Sequence, residues 1–170
     1  LEQRQKYVDA LCKEMLLRSD HRSEEVKELR SSDNTEATNN LSTCQLVNLS
    51  TKINTIYLGG GTPSQLSIAQ LEQLFIYINK VYSIGDDAEV TMECNPDDIT
   101  DDYAQAISRL PINRVSMGVQ TFDDNRLRFL HRRHSSENVY NAVERLRQAG
   151  IKNISIDLMY GLPGESLETW

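Results

Sequence analysis

Four stretches of this chain end on residues able to bind a polar ligand: Gly59-Gly60-Gly61-Thr62-Pro63, Glu93-Cys94-Asn95-Pro96, Gln120 and Asp157. Three successive glycines allow close backbone approach to a ligand and leave N–H groups to donate hydrogen bonds. Glu93, Gln120 and Asp157 add acceptors for hydroxyls or an ammonium group. Taken singly, each has an ordinary explanation, since most glycine runs are turns and most polar side chains are structural. The run also lacks the Gly-Lys-Ser/Thr of a P-loop and the spacing of a dinucleotide fingerprint, so neither is assigned. No Ser–His or Cys–His pair and no metal-binding triad accompanies these positions, and His21, His131 and His134 are expected to be exposed. The chemistry implied is recognition rather than acid–base catalysis.

Such residues act together only if the fold gathers them. Ile53–Leu58, Glu89–Glu93, Arg114–Val119 and Asn153–Met159 read as strands, and helical patterns lie between them. Ser67-Ile-Ala-Gln70 is a capping box, followed by Ile68, Leu71, Leu74, Phe75 and Ile78 on one face. Thr100 precedes two aspartates and suits an N-cap. Ser135 or Ser136 opens a helix carrying Val139, Val143 and Leu146, with Gly150 where a C-cap glycine belongs. Strand, helix and strand in succession require right-handed crossovers and a parallel sheet. Ligands of such folds bind at the C-terminal ends of the strands, where all four polar stretches fall.

Side-chain alternation bears on the kind of sheet. One face of the later strands is apolar: Val90 and Met92; Val115, Met117 and Val119; Ile154, Ile156 and Leu158. The other carries Thr91 and Glu93; Ser116, Gly118 and Gln120; Ser155 and Asp157. A packed barrel interior is dominated by Val, Ile and Leu, and a doubly wound sheet is apolar on both faces. A small, polar face points instead to a lumen open to ligand and water. A sheet with one face merely less buried remains the plainer alternative.

The remainder of the chain says less about function. Residues 1–52 read as a helix from Gln3 to about Arg30, with Val8, Leu11, Cys12 and Met15 in one stripe, and then a polar stretch from Ser31 to Cys44. That stretch has too few apolar residues to offset the entropy of ordering, and reads as a mobile insertion. At 170 residues, 39% hydrophobic and 25% charged, the chain can bury a core within one domain. A net charge of −7 argues against a nucleic-acid partner. The one basic patch, Arg126, Arg128, Arg132 and Arg133 with His131 and His134, reads as a solvated helix face. No membrane span or signal peptide is evident. Cys12, Cys44 and Cys94 are too scattered for a disulfide framework or a zinc site, which suits a reducing, cytoplasmic setting. The chain opens on Leu1 and stops at Trp170 as a new helix begins, and reads as a fragment.

Four motifs, in order, carry a resemblance. Tyr57-Leu-Gly-Gly-Gly-Thr-Pro-Ser64, Met92-Glu-Cys-Asn-Pro96, Ser116-Met-Gly-Val-Gln-Thr-Phe122 and Ile156-Asp-Leu-Met-Tyr-Gly-Leu-Pro163 resemble those of the oxygen-independent coproporphyrinogen III oxidase-like group of radical S-adenosylmethionine (SAM) proteins. The resemblance runs from Ile53 to Trp170, and the second and fourth motifs lean towards its heme chaperone branch. It implies consecutive β/α units over residues 53–170, a partial parallel (β/α) barrel of the radical SAM type, truncated at both ends. It implies SAM and a [4Fe–4S] cluster as cofactors of the full-length protein. By motif, the SAM contacts would be Gly60, Gly61, Thr62, Glu93, Gln120, Arg132 and Asp157. Arg132 lies twelve residues after Gln120, where the family places an arginine, so one member of the basic patch is expected to point inward.

The departure concerns iron. The family's Cys-x3-Cys-x2-Cys loop is missing, and Cys12, Cys44 and Cys94 cannot replace it at their spacing. The fragment is therefore expected not to assemble the cluster or cleave SAM. Three functions compete: a heme chaperone handing heme to an acceptor protein, a coproporphyrinogen III decarboxylase served by an electron donor, and an unrelated β/α-barrel binding domain. Whether the protein is an enzyme stays open between the first two.

Overall fold

The computed structural model describes residues 2–31 and 52–168. The elements are α1 (Glu2–Ser31), β1 (Lys52–Leu58), α2 (Ile68–Val81), β2 (Ser83–Cys94), α3 (Asp101–Ile107), β3 (Arg114–Gln120), α4 (Asp124–Phe129), α5 (Ser136–Gln148) and β4 (Asn153–Leu158). Short 3-10 turns at Pro63–Gln65 and Pro96–Asp98 follow β1 and β2. Residues 32–44 of the polar stretch and the side chain of His21 lie outside the described residues.

The strands form one sheet in the order β1-β2-β3-β4. The β2–β3 and β3–β4 pairs are parallel, with Glu93 opposite Ser116 and Gly118 opposite Asp157. A doubly wound sheet reverses its strand order at a switch point. Strict chain order is instead that of a barrel wall, in keeping with the sequence expectation.

By its contacts the chain divides into two compact units, residues 1–54 with 69–88, and residues 55–68 with 89–170. In the first unit, Val8 and Cys12 on α1 and Leu71, Leu74, Phe75, Ile78 and Val81 on α2 are buried. Side-chain amides fasten the two helices: Gln5 donates to Gln73 at 2.8 Å, Gln70 to Gln5 at 3.2 Å, and Gln73 to Asp9 at 3.0 Å. The same unit holds the start of β2, which begins six residues before the expected Glu89. Gly85 fits there because a Cβ would meet the Asn54 side chain at 3.0 Å and the Lys52 side chain at 3.2 Å. Glycine and two aspartates break the alternation over these residues, so no strand signal marks them.

The second unit holds the polar strand ends. Its core is the expected apolar face of β2 and β3, with Val90, Met92, Val115, Met117 and Val119 all buried. Ile107 from α3 and Val139, Ala142 and Leu146 from α5 are buried in the same unit. Thr100 caps α3 by accepting from the Tyr103 N–H at 3.1 Å. Ser135, rather than Ser136, caps α5 in a reciprocal box with Asn138. Each such cap is worth about 1 kcal/mol. At the far end of α5, Gly150 takes φ 98° while its N–H reaches Arg147 O and that of Ile151 reaches Leu146 O. This is a Schellman motif, and its glycine is the C′ residue just past the cap.

Candidate functional site

The ends of β1 to β4 converge on a polar pocket of about 220 Å3, lined by residues that include Gly61, Thr62, Glu93, Gln120, Arg132 and Asp157. These are six of the seven SAM-contact positions expected from the motifs. The seventh, Gly60, is adjacent and donates its N–H to Glu93 Oε2 at 3.1 Å. Gly60 and Gly61 have φ of 81° and 68°, the left-handed region where glycine escapes the Cβ penalty. A complete small-molecule pocket is usually about 300–1,000 Å3, so this one is smaller than a complete site.

The two carboxylates are each held by a hydroxyl from a neighbouring strand. Glu93 accepts from the Tyr57 phenol at 2.9 Å through Oε1. That hydrogen bond, with the Glu93 charge behind it, raises the phenol above its ordinary pKa. Asp157 accepts from the Ser116 hydroxyl at 3.2 Å, and Ser155 donates to Ser116 at 3.2 Å. Gln120 lies at a register irregularity between β3 and β4 and takes φ 72°. A non-glycine residue in that conformation costs about 1–3 kcal/mol, and such strain gathers at functional positions. The Met159 N–H holds it by donating to Gln120 O at 2.8 Å.

Arg132 reaches the pocket from the turn after α4. The N–H groups of His131 and Arg132 bond Arg128 O and Leu127 O, and His131 takes φ 54°. This is again a Schellman motif, here with histidine at the left-handed position. Arg132 Nη2 then donates to Asn95 Oδ1 and to Gly118 O, each at 2.9 Å.

The basic patch is a solvated face only in part: Arg128, His131 and Arg133 are exposed, whereas Arg126, Arg132 and His134 turn inward. Arg126 is largely buried and pairs with Glu165 and, at 3.4 Å, with Asp123. Arg133 meets Asp97 at 3.4 Å and Asp98 at 3.3 Å. His134, expected at the surface, is buried with Nε2 3.0 Å from Val119 O, whereas His131 is exposed. Sequence reasoning gave no role to Tyr57, Asn95 or Ser116, whose side-chain partners lie 36 to 41 residues away, although all three stand within the quoted motifs.

The arrangement suits binding. Two carboxylates, two amides (Asn95 and Gln120) and one guanidinium face the same space, and no histidine joins them. Cys94 also lines it, but burial, then the charges of Asp98 and Glu93, pushes its thiol up to about 12, so it stays protonated. A larger groove of about 820 Å3 lies along α5 and β4, lined by Phe122, Val139, Tyr140, Val143, Ile154 and Ile156 among others. It contains none of the strand-end residues and lacks their converging acceptors.

Comparison with known proteins gives a consistent picture. The model of the Radical SAM superfamily matches residues 45–170. The heme chaperone HemW of Lactococcus lactis is 45% identical over 117 residues, covering 69% of this chain and 31% of the relative. An oxygen-independent coproporphyrinogen III oxidase of Synechocystis is 32% identical over 125 residues, covering 74% and 27%. The solved coproporphyrinogen III oxidase HemN of Escherichia coli, a radical SAM enzyme, superposes with a TM-score of 0.65 at 31% identity, over 69% of this chain and 27% of that one. The chain thus spans about a third of the length of the relatives it matches.

Proposed function

Because this chain belongs to the radical SAM superfamily, we propose that the polar pocket at its strand ends is a SAM site, formed by Gly60, Gly61, Thr62, Glu93, Gln120, Arg132 and Asp157. The observation that carries this reading is the convergence of six of these residues on one space. Charge complementarity supports it. SAM carries a sulfonium, an ammonium, a carboxylate and a ribose diol, and the lining offers two carboxylates and one guanidinium. Arg132 is the partner for the SAM carboxylate, and Glu93 and Asp157 are acceptors for its hydroxyl and ammonium groups.

The family also implies a [4Fe–4S] cluster, which supplies radical chemistry when bound. The described cysteines do not fit it. Cys12 and Cys94 are both buried, 82 positions apart in sequence, and Cys94 holds its proton. Among the described residues no group of three or more His, Cys, Asp or Glu could hold a metal ion.

For the whole protein we propose a heme chaperone that binds heme and passes it to an acceptor protein. The higher identity to HemW than to the oxidase favours this over coproporphyrinogen III decarboxylation, which would need an electron donor. The unrelated barrel is set aside by the family match. No described helix is long and apolar enough to cross a membrane.

Heme titration of the natural protein that carries this sequence, alongside an anaerobic assay on coproporphyrinogen III, decides between the two. Tight stoichiometric heme binding without turnover is the expected result. Turnover without tight heme binding would overturn it.

A further inference from the structure

We propose that Asn95 is a positioning residue that holds the Arg132 guanidinium ready for the carboxylate of the bound ligand. This rests on the reading of the pocket as a SAM site.

Arg132 has no charged partner among the described residues. Arg132 lines a space with two carboxylates, Glu93 and Asp157, yet forms no ion pair among the described residues. Its described hydrogen bonds both come from Nη2, to Asn95 Oδ1 and Gly118 O at 2.9 Å each. Both acceptors are neutral, so the positive charge is held in place without being cancelled. Nε and Nη1 have no acceptor among the described residues, so each keeps N–H donors for a charged acceptor such as a carboxylate.

An arginine side chain would otherwise sample many rotamers, and fixing it in advance lowers the entropy lost on binding. Gly118 O is part of β3 and cannot select a rotamer alone, because the backbone approaches only one edge of the group. Asn95 supplies the second point, and it is itself anchored. Its N–H donates to Ser64 Oγ at 3.1 Å, and the buried Ser64 hydroxyl donates to Asp98 Oδ2 at 2.6 Å. Ser64 closes the glycine-rich turn, so one short relay ties that turn, the end of β2 and Arg132 together.

The test compares two ligands: SAM, and 5′-methylthioadenosine, which keeps the nucleoside but lacks the carboxylate. Equilibrium dialysis of the natural protein carrying this sequence, purified anaerobically, is run on wild type, Asn95→Ala, Asn95→Asp, Arg132→Ala and Asn95→Ala/Arg132→Ala. Asn95→Ala should weaken SAM about tenfold, in line with a lost hydrogen bond to a charged group. Asn95→Asp keeps the acceptor but adds a charge that competes for the guanidinium, and should weaken SAM at least as much. Both should bind methylthioadenosine as wild type does, which also shows that they fold. The double variant should be no weaker than Arg132→Ala. SAM loss in Arg132→Ala with none in Asn95→Ala overturns this proposal alone, as does full additivity or equal weakening of both ligands. Unchanged SAM binding by Arg132→Ala overturns the SAM-site reading together with this one.

Discussion

Cys94 lines the polar pocket but is only 3% exposed, and its thiol approaches Met92 O at 3.8 Å. Burial raises its pKa from 9.0 to about 12, with the Asp98 and Glu93 charges adding to the effect. The sign follows directly. The fold disfavours the thiolate, so the contribution of this group to stability is complete below about pH 9 and is lost as pH rises towards about 12. Wild type should therefore lose stability between pH 9 and 11 more steeply than Cys94→Ala, as read by urea midpoints, and its thiol should react slowly with a thiol reagent at pH 8.5. Equal pH slopes would remove the argument. Glu93, Gln120 and Asp157 could be read from the sequence because polar residues ending apolar runs are locally visible. Asn95 and Ser64 could not, because their roles depend on partners 37 and 34 positions away. His134 was misread for the same reason, its partner Val119 being remote in sequence.

Elements announce themselves when their signals are local. Thr100 and Ser135 cap helices within three residues of their own position, and Gly150 ends α5 with the one residue that takes a positive φ freely. The first half of β2 gives no such signal, because Gly85 is there for close packing and Asp86 and Asp87 are exposed. The turn after α4 is the most instructive case. It has the hydrogen bonds of a Schellman motif but places His131 where glycine is usual, at φ 54°. Left-handed backbone costs a residue with a Cβ about 1–2 kcal/mol, against roughly 0.5–1 kcal/mol of extra chain entropy lost by glycine. His131→Gly should thus stabilise the protein by up to about 1 kcal/mol in chemical denaturation, with SAM affinity unchanged since the turn still delivers Arg132. A destabilised variant would mean that the imidazole contributes more than the turn geometry accounts for.

At the scale of the molecule, sequential strand order and parallel pairing bring residues from four separate stretches to one edge. Periodicity made the β/α succession legible, and the alternation of small polar with apolar residues marked the buried face of β2 and β3, whereas Ile156 and Leu158 on the apolar face of β4 are exposed. Thr91 and Ser116 on the polar face are nevertheless buried, so small size as well as polarity shapes that face. The central claim is that this edge binds SAM. Equilibrium dialysis of labelled SAM against the natural protein carrying this sequence, and against its Glu93→Ala and Asp157→Ala variants, tests it most directly. The account predicts about one ligand per chain for wild type and at least about tenfold weaker binding in each variant, the loss expected when a charged acceptor is removed. Equal binding by all three proteins would contradict it.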